Sequence, residues 1–255
     1  MDVKTLSGYW KESLGWLRAS ELKILVLLTL NNFVRSLKTM MIYFNWLIIL
    51  NLIVTYLVIK SGIKAGLTLS SLTNYESLSY WTRFGTLDFI AVLLNIVMTF
   101  CYLLSARASL ERKDLSYFAR YYVPKFPWFL LFWLLGGKLV LMVMFFFMDA
   151  GNTLRDFFES FKRGLLVHIY FFPGLLCIYF LWSLIGLTFV GIFLLVPALI
   201  SGLSGLALVY ITYISMLCYL LAAVIFCLTM FLVYSFHAVM YSKIKHSHYQ
   251  LFFSK

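Results

Sequence analysis

Between Arg163 and Lys243 the chain runs for 79 residues without an Asp, Glu, Lys or Arg, and this stretch constrains the fold more than any other feature. At roughly 20 residues for each helical crossing of a bilayer, it supplies three spans joined by tight turns, or two long tilted ones. The rest of the chain agrees. Of 255 residues, 63% are hydrophobic and only 12% charged, with a mean hydropathy of +0.92, whereas about a quarter of a soluble domain is charged. A water-soluble enzyme is excluded. The expected fold is all-α, a polytopic helical membrane protein of about six transmembrane helices with interfacial amphipathic helices on its cytoplasmic side. It forms a single integral membrane domain over 1–255: a cytoplasmic or interfacial segment at 1–39, a transmembrane bundle at 40–241 and a basic tail at 242–255.

Charges delimit the spans. Met40 to Ile59 is uncharged and closed by Lys38 and Lys60; Leu87 to Ala106 carries only Asp88; Phe126 to Met148 contains the single charge Lys138. With breaks at Gly186, Gly191, Pro197, Gly202 and Gly205, and Pro173-Gly174 read as a kink within a span, the crossings fall near 40–59, 87–106, 127–148, 165–185, 187–204 and 206–236. The segment from Ile24 to Leu37, interrupted by Asn31, Asn32 and Arg35, reads as an interfacial helix leading into the first span. Charge throughout the first twenty residues, with no short apolar core before a small-residue cleavage site, argues against a removable signal peptide.

The net charge of +11 would suggest nucleic acid in a soluble protein, but here it reads as topology. Lys4, Lys11, Arg18, Lys23, Arg35 and Lys38 precede the first span; Arg107, Arg112, Lys113, Arg120 and Lys125 fill the loop after the second; Lys243, Lys245 and Lys255 follow the last. The positive-inside rule places these three regions, and both termini, in the cytoplasm. Anionic lipids are the expected partners, with other membrane subunits or further copies of the chain as possible neighbours; nucleic acid is not expected. The chain has the general look of bacterial multi-pass membrane proteins, so the cytoplasmic membrane is the expected location.

Three loop segments share an outline: Lys4 to Trp10, Lys113 to Ala119, and Asn152 to Phe158. Each places Thr5, Asp114 or Thr153 where it would cap a helix, then a leucine, a polar residue and an aromatic pair. Basic and aromatic residues follow, which suits helices lying at head-group level. Were all three on the cytoplasmic face, 126–148 would be a re-entrant pair of half-helices broken at Gly136-Gly137-Lys138, and the final apolar run would make two long spans. That gives four crossings plus a hairpin, the alternative to six. Non-helical backbone survives at membrane depth only where protein or water covers it.

Lys138 is the sharpest candidate for function, because an ionisable residue in mid-span costs about 3 kcal/mol and usually faces a partner or a cavity. Asn95 and the carbonyls loosened by Gly136 and Gly137 are its expected partners, and snorkelling to the head groups is the bland alternative. His168 and His237 titrate in the neutral range but sit near span ends. Asp88 and Asp149 read as solvated span-end residues. Asn45, Asn51 and Asn95 suit interhelical hydrogen bonds, and Cys101, Cys177, Cys218 and Cys227 read as small buried hydrophobes.

Gly202-Leu203-Ser204-Gly205 resembles the GxSG pattern of rhomboid-like intramembrane serine proteases, a resemblance that implies Ser204 as nucleophile and His237 as base. It covers four residues. Ala238, Val239 and Met240 replace the small residues expected after the histidine, and about 50 Å separate the two positions along one helix. A packing motif explains it better. No HExxH, Walker A, GxGxxG or paired intramembrane aspartates occur, and no metal or cofactor is expected. The first expectation for function is therefore a transport or permease-like role, alone or as the membrane subunit of a complex. The alternative is a structural or assembly protein that organises lipid or other membrane proteins through its basic, aromatic interfacial helices.

Overall fold

The computed structural model describes residues 3–64, 86–134, 141–149, 153–201 and 208–248. All regular elements among them are helical: α1 (Val3–Gly15), α2 (Ala19–Tyr43), α3 (Asn45–Lys64), α4 (Thr86–Glu111), α5 (Leu115–Tyr122), a 3-10 turn (Val123–Lys125), α6 (Phe126–Leu134), α7 (Leu141–Asp149), α8 (Leu154–Tyr170), α9 (Phe172–Ser201) and α10 (Leu208–Ser247). Three stretches are long and apolar enough to cross a membrane, Phe89–Glu111, Phe172–Phe189 and Tyr213–Ser247. A fourth arises if the bent pair Ala19–Tyr43 and Asn45–Val58 is one span. The described residues thus hold three to four candidate spans, fewer than the six expected.

Two differences account for the shorter count. The final apolar run forms two long helices, α9 and α10, of 30 and 40 residues, where three shorter spans were expected. Secondly, the described parts of the expected span 127–148 are α6 and α7, on either side of residues 135–140, and neither is among the candidate spans found in the described residues. The two ends of this segment also meet: the Lys125 ammonium donates to the carbonyls of Phe147 and Met148, each at 2.9 Å. A segment whose ends touch does not cross. Ile24 to Leu37 is likewise no separate interfacial helix but the middle of α2, and the expected first span is interrupted at Phe44.

The chain divides into two compact units. One comprises Phe44–Met98 and Ser183–Thr229, where Gly186 lies so close to Thr229 that a β-carbon would collide with its side chain. The other comprises Met1–Tyr43, Thr99–Trp182 and Met230–Lys255, and it holds the polar chemistry. There α2 turns Leu25, Thr29, Asn32, Ser36 and Met40 inward, a stripe at three- and four-residue spacing that marks one helical face. Facing polar groups pair within this interior: the Tyr102 and Ser235 hydroxyls are 2.7 Å apart. The Asn32 amide is 3% exposed and has no hydrogen-bond partner among the described residues.

Local chemistry explains the helix starts. Thr153 caps α8 in a reciprocal box, its Oγ1 accepting from the Asp156 amide at 3.2 Å while its own amide donates to the Asp156 carboxylate at 3.1 Å, as its sequence position suggested. Asp114 stands at the N-cap of α5 without a side-chain capping bond. Thr5 lies inside α1, so that part of the shared outline does not hold.

Pro173 and Gly174 lie in the first turn of α9, where proline is tolerated, and mark no kink within a span. The Gly174 amide donates to Ser13 Oγ at 3.2 Å, and a β-carbon at Gly174 would collide with the Ser13 carbonyl. This close approach seats α1 on the α8–α9 elbow, reinforced by Trp10 Nε1 donating to the Ile169 carbonyl at 3.0 Å and by Trp16 stacking on Phe171 at 5.1 Å.

Two measurements check this arrangement. Single cysteines at Lys113 and Thr153, in a background lacking the four native cysteines, should react with an impermeant maleimide from the same side of the membrane; labelling from opposite sides would restore a crossing at 126–149. Gly174→Ala should destabilise the protein by about 1–3 kcal/mol, the usual cost of overpacking a tight contact, measured by thermal unfolding in detergent.

Candidate functional site: a buried charge network

Asp149 is the last residue of α7, where the helix dipole presents partial negative charge and a carboxylate is disfavoured. The surroundings reverse that penalty. Arg107 of α4 donates through Nη2 to both carboxylate oxygens at 2.7 and 2.8 Å. The Tyr241 hydroxyl and the Lys245 ammonium, both on α10, donate to Oδ2 at 2.6 Å each, and the Tyr122 hydroxyl reaches Oδ1 at 3.5 Å. Burial by itself pushes the Asp149 carboxyl up, but the Arg107 charge and the hydrogen bonds from Lys245 and Tyr241 outweigh it and hold its pKa below the ordinary carboxylate range. The group is ionised at neutral pH, with its acceptor positions taken.

Arg107 is 2% exposed. Its Nη2 also meets Glu111, one turn on, at 2.8 Å, and its guanidinium lies over the Tyr241 ring at 4.8 Å. Lys125 is buried against the Tyr122 and Phe147 rings; burial lowers its pKa, partly offset by the charges of Asp149 and Asp156. By bonding the last carbonyls of α7 it supplies the positive charge that a helix C-terminus favours. Burial also raises the Tyr122 hydroxyl, so it stays a donor. Network residues thus come from α4, α5, the 3-10 turn, α7 and α10. What the arrangement does chemically is lock helix ends together. Among the described residues no group of three or more His, Cys, Asp or Glu is placed to hold a metal.

Asp149 is therefore not a solvated span-end residue: its side chain is only 20% exposed. The signal was present in the sequence, since Asp149 is the one acid between Asp114 and Asp156 and Arg107 ends another apolar run, but nothing in the spacing pairs them.

Of the residues singled out from sequence, the described Asn95 and His168 lie in different units. Lys138, Gly136 and Gly137 lie outside the described residues, as do Asn152, Gly202 and Ser204. Asn95, in the other unit, donates to the Ala91 carbonyl of its own helix at 2.9 Å. Asn45 and Asn51 also bond locally, to the Trp46 amide and the Thr55 hydroxyl. His168 contacts the Gly164 carbonyl through Nδ1 at 2.8 Å, and its Nε2 has no partner among the described residues; burial lowers its pKa, so it is neutral near pH 7. His237 contacts the Val233 carbonyl through Nδ1 at 2.7 Å, while its Nε2 is engaged by the Tyr179 hydroxyl. A histidine so committed is not poised as a base for Ser204. Cys101 and Cys218 are buried, Cys227 is half-buried and Cys177 is exposed, so the expectation of four buried cysteines fails at Cys177.

No protein-family profile matches the chain, and no curated protein or solved structure is significantly similar to it.

Asp149→Asn should cost about 1–3 kcal/mol of stability, because it leaves the buried Arg107 with Glu111 as its one anion and removes the charge that Tyr241 and Lys245 donate to; the double variant Arg107→Met/Asp149→Leu should regain most of it. Because the folded-state pKa of Asp149 is depressed, its contribution is present at neutral pH and lost as pH falls through and below the carboxylate range. Melting temperature should therefore fall with acidification more steeply in the native protein than in Asp149→Asn; equal slopes would remove Asp149 from this role.

Proposed function

We propose that this chain organises anionic lipid at the cytoplasmic face of a cell membrane, through interfacial helices clamped to its spans by the Asp149 network. The observation that carries this reading is α8, which has two apolar faces. Phe157, Ser160, Gly164 and Val167 are buried against the protein. A second stripe, Leu154, Phe158, Phe161, Leu165 and Ile169, is 58, 62, 40, 47 and 39% exposed. At 100° per residue the two stripes lie about 120° apart, and Arg155, Glu159, Lys162 and Arg163 fill much of the remaining arc. A helix packed on one side, apolar on a second and charged on a third fits the boundary between acyl chains and head groups. On α5, Phe118 and Tyr122 are buried while Tyr117, Arg120 and Tyr121 are exposed, the mixture that favours head-group level.

Charge supports the cytoplasmic side. The ends of α4 and α10 that meet in the network adjoin the basic loop 107–125 and the basic tail, and the start of α2 joins them through Lys243 to Glu21 at 3.2 Å. Basic segments flanking spans favour the cytoplasm. The transport reading drew on Lys138 and on a break reaching Gly205, both outside the described residues, and on six crossings.

The test is depth. Nitroxides at Phe158 and Leu165, in a background without the native cysteines and reconstituted in phosphatidylglycerol-containing bilayers, should be relaxed by oxygen in preference to a water-soluble nickel chelate, and one at Glu159 should show the reverse. Chelate-dominated relaxation at all three positions would reject an interfacial α8 and the lipid-organising role with it.

A further inference from the structure

We propose that the turn between α4 and α5 is a binding cleft for the phosphate of an anionic phospholipid of the phosphatidylglycerol type. This rests on the interfacial placement of α5 argued above. The span Phe89–Glu111 ends one residue before Arg112, so the turn begins where hydrocarbon gives way to head groups. An open cleft of about 600 Å³ lies there, lined by Arg112, Lys113, Asp114, Tyr117, Arg120 and Tyr121 among others, a volume within the range of small-ligand sites.

The cleft carries three cations against one acid. Lys113 is partly engaged, 3.6 Å from Glu111 and 4.6 Å over the Tyr117 ring. Arg112 and Arg120 are exposed and make no ion pair among the described residues. Two guanidinium forks free of internal acids suit phosphate oxygens, which they take in a bidentate fashion. Tyr117 and Tyr121, 49 and 62% exposed, bring hydroxyls for glycerol and ring faces for the interface.

The backbone adds a second oddity at the same place. Arg112 is the single non-glycine residue with positive φ, at 52°, among the described residues. The Lys113 amide closes the end of α4 on the Ala108 carbonyl at 3.2 Å, the helix-ending turn that usually places glycine at the left-handed position. Arginine there costs conformational energy that glycine would avoid, so the side chain has a use other than forming the turn. The net positive charge selects an anionic lipid over a zwitterionic one.

The experiment is native mass spectrometry of the full chain in detergent, titrated with phosphatidylglycerol and with phosphatidylcholine. The native protein should retain one phosphatidylglycerol with a preference of about tenfold, and Arg112→Gly and Arg120→Gln should each weaken it about fivefold, as expected for loss of one basic contact to an anionic head group. Arg112→Gly relieves the left-handed position and keeps the turn, so unfolding does not explain its loss; a melting temperature equal to or above that of the native protein checks this. Phosphatidylglycerol binding by the double variant Arg112→Gly/Arg120→Gln equal to that of the native protein would overturn the cleft. Inorganic phosphate or glycerophosphate displacing the lipid at equal concentration would overturn the lipid as occupant and assign a soluble phosphate. The nitroxide depths separate this from the broader function: an embedded α8 with unaltered lipid binding in the variants removes the cleft alone, whereas a water-exposed α8 with a retained arginine-dependent lipid removes the organising role alone.

Discussion

The ionised Asp149 carboxylate is the constraint on which the polar architecture of this protein depends. A carboxylate at a helix C-terminus, largely screened from water, is stable only if surrounded by donors, and the chain supplies Arg107, Tyr241 and Lys245 at 2.6–2.8 Å. Each donor comes from a helix long and apolar enough to cross a membrane, so satisfying one anion ties the ends of three helices together. The converse holds for Arg107, whose buried guanidinium has Asp149 and Glu111 as its anions. Such a pair contributes modest net stability relative to an apolar replacement, yet is costly to break on one side. It therefore specifies position more than it adds strength.

That specificity makes the segment from Phe126 to Met148 intelligible. Composition alone says that so apolar a run of membrane-spanning length should cross. Its two ends meet instead, because Lys125 at one end holds the carbonyls at the other, and Asp149 ties the same end to α4 and α10. Folding back keeps the α7 C-terminus next to cations, whereas a crossing would carry Asp149 away from all of them. The elbow between α8 and α9 is likewise anchored, by Ser13 against Gly174 and by Trp16 against Phe171. α1, α5 and α8 are thus held at fixed points of this unit, which suits the proposed role of holding lipid in a defined arrangement.

The candidate site was legible in pieces. The basic loop from Arg107 to Lys125 and the aromatic outlines around Tyr117 and Phe158 were evident, because interfacial chemistry is written in local composition. Asp149 reads as solvated from sequence because its partners lie 42, 92 and 96 residues away and no local pattern announces them. Asn95 suits an interhelical bond by its position, but its amide finds a carbonyl on its own helix, a choice that depends on rotamer and neighbours. The cap at Thr153 is visible in sequence because a capping box is complete within four residues; Thr5 has the same outline but lies within α1.

What the sequence determined by itself was the solvent and the class of structure: a 79-residue uncharged run has no stable place outside lipid, and charge placement follows from that. It also determined that basic and aromatic residues gather between the apolar runs, because both prefer the interface. Only the tertiary structure decided which of those runs form helices long enough to cross, and which acid meets which base. Hydropathy reports the cost of taking a segment out of water and is blind to direction, so a re-entrant segment and a span look alike in it. The choice was made by a few charge-assisted hydrogen bonds between residues distant in the chain, whose strength depends on the burial that folding creates.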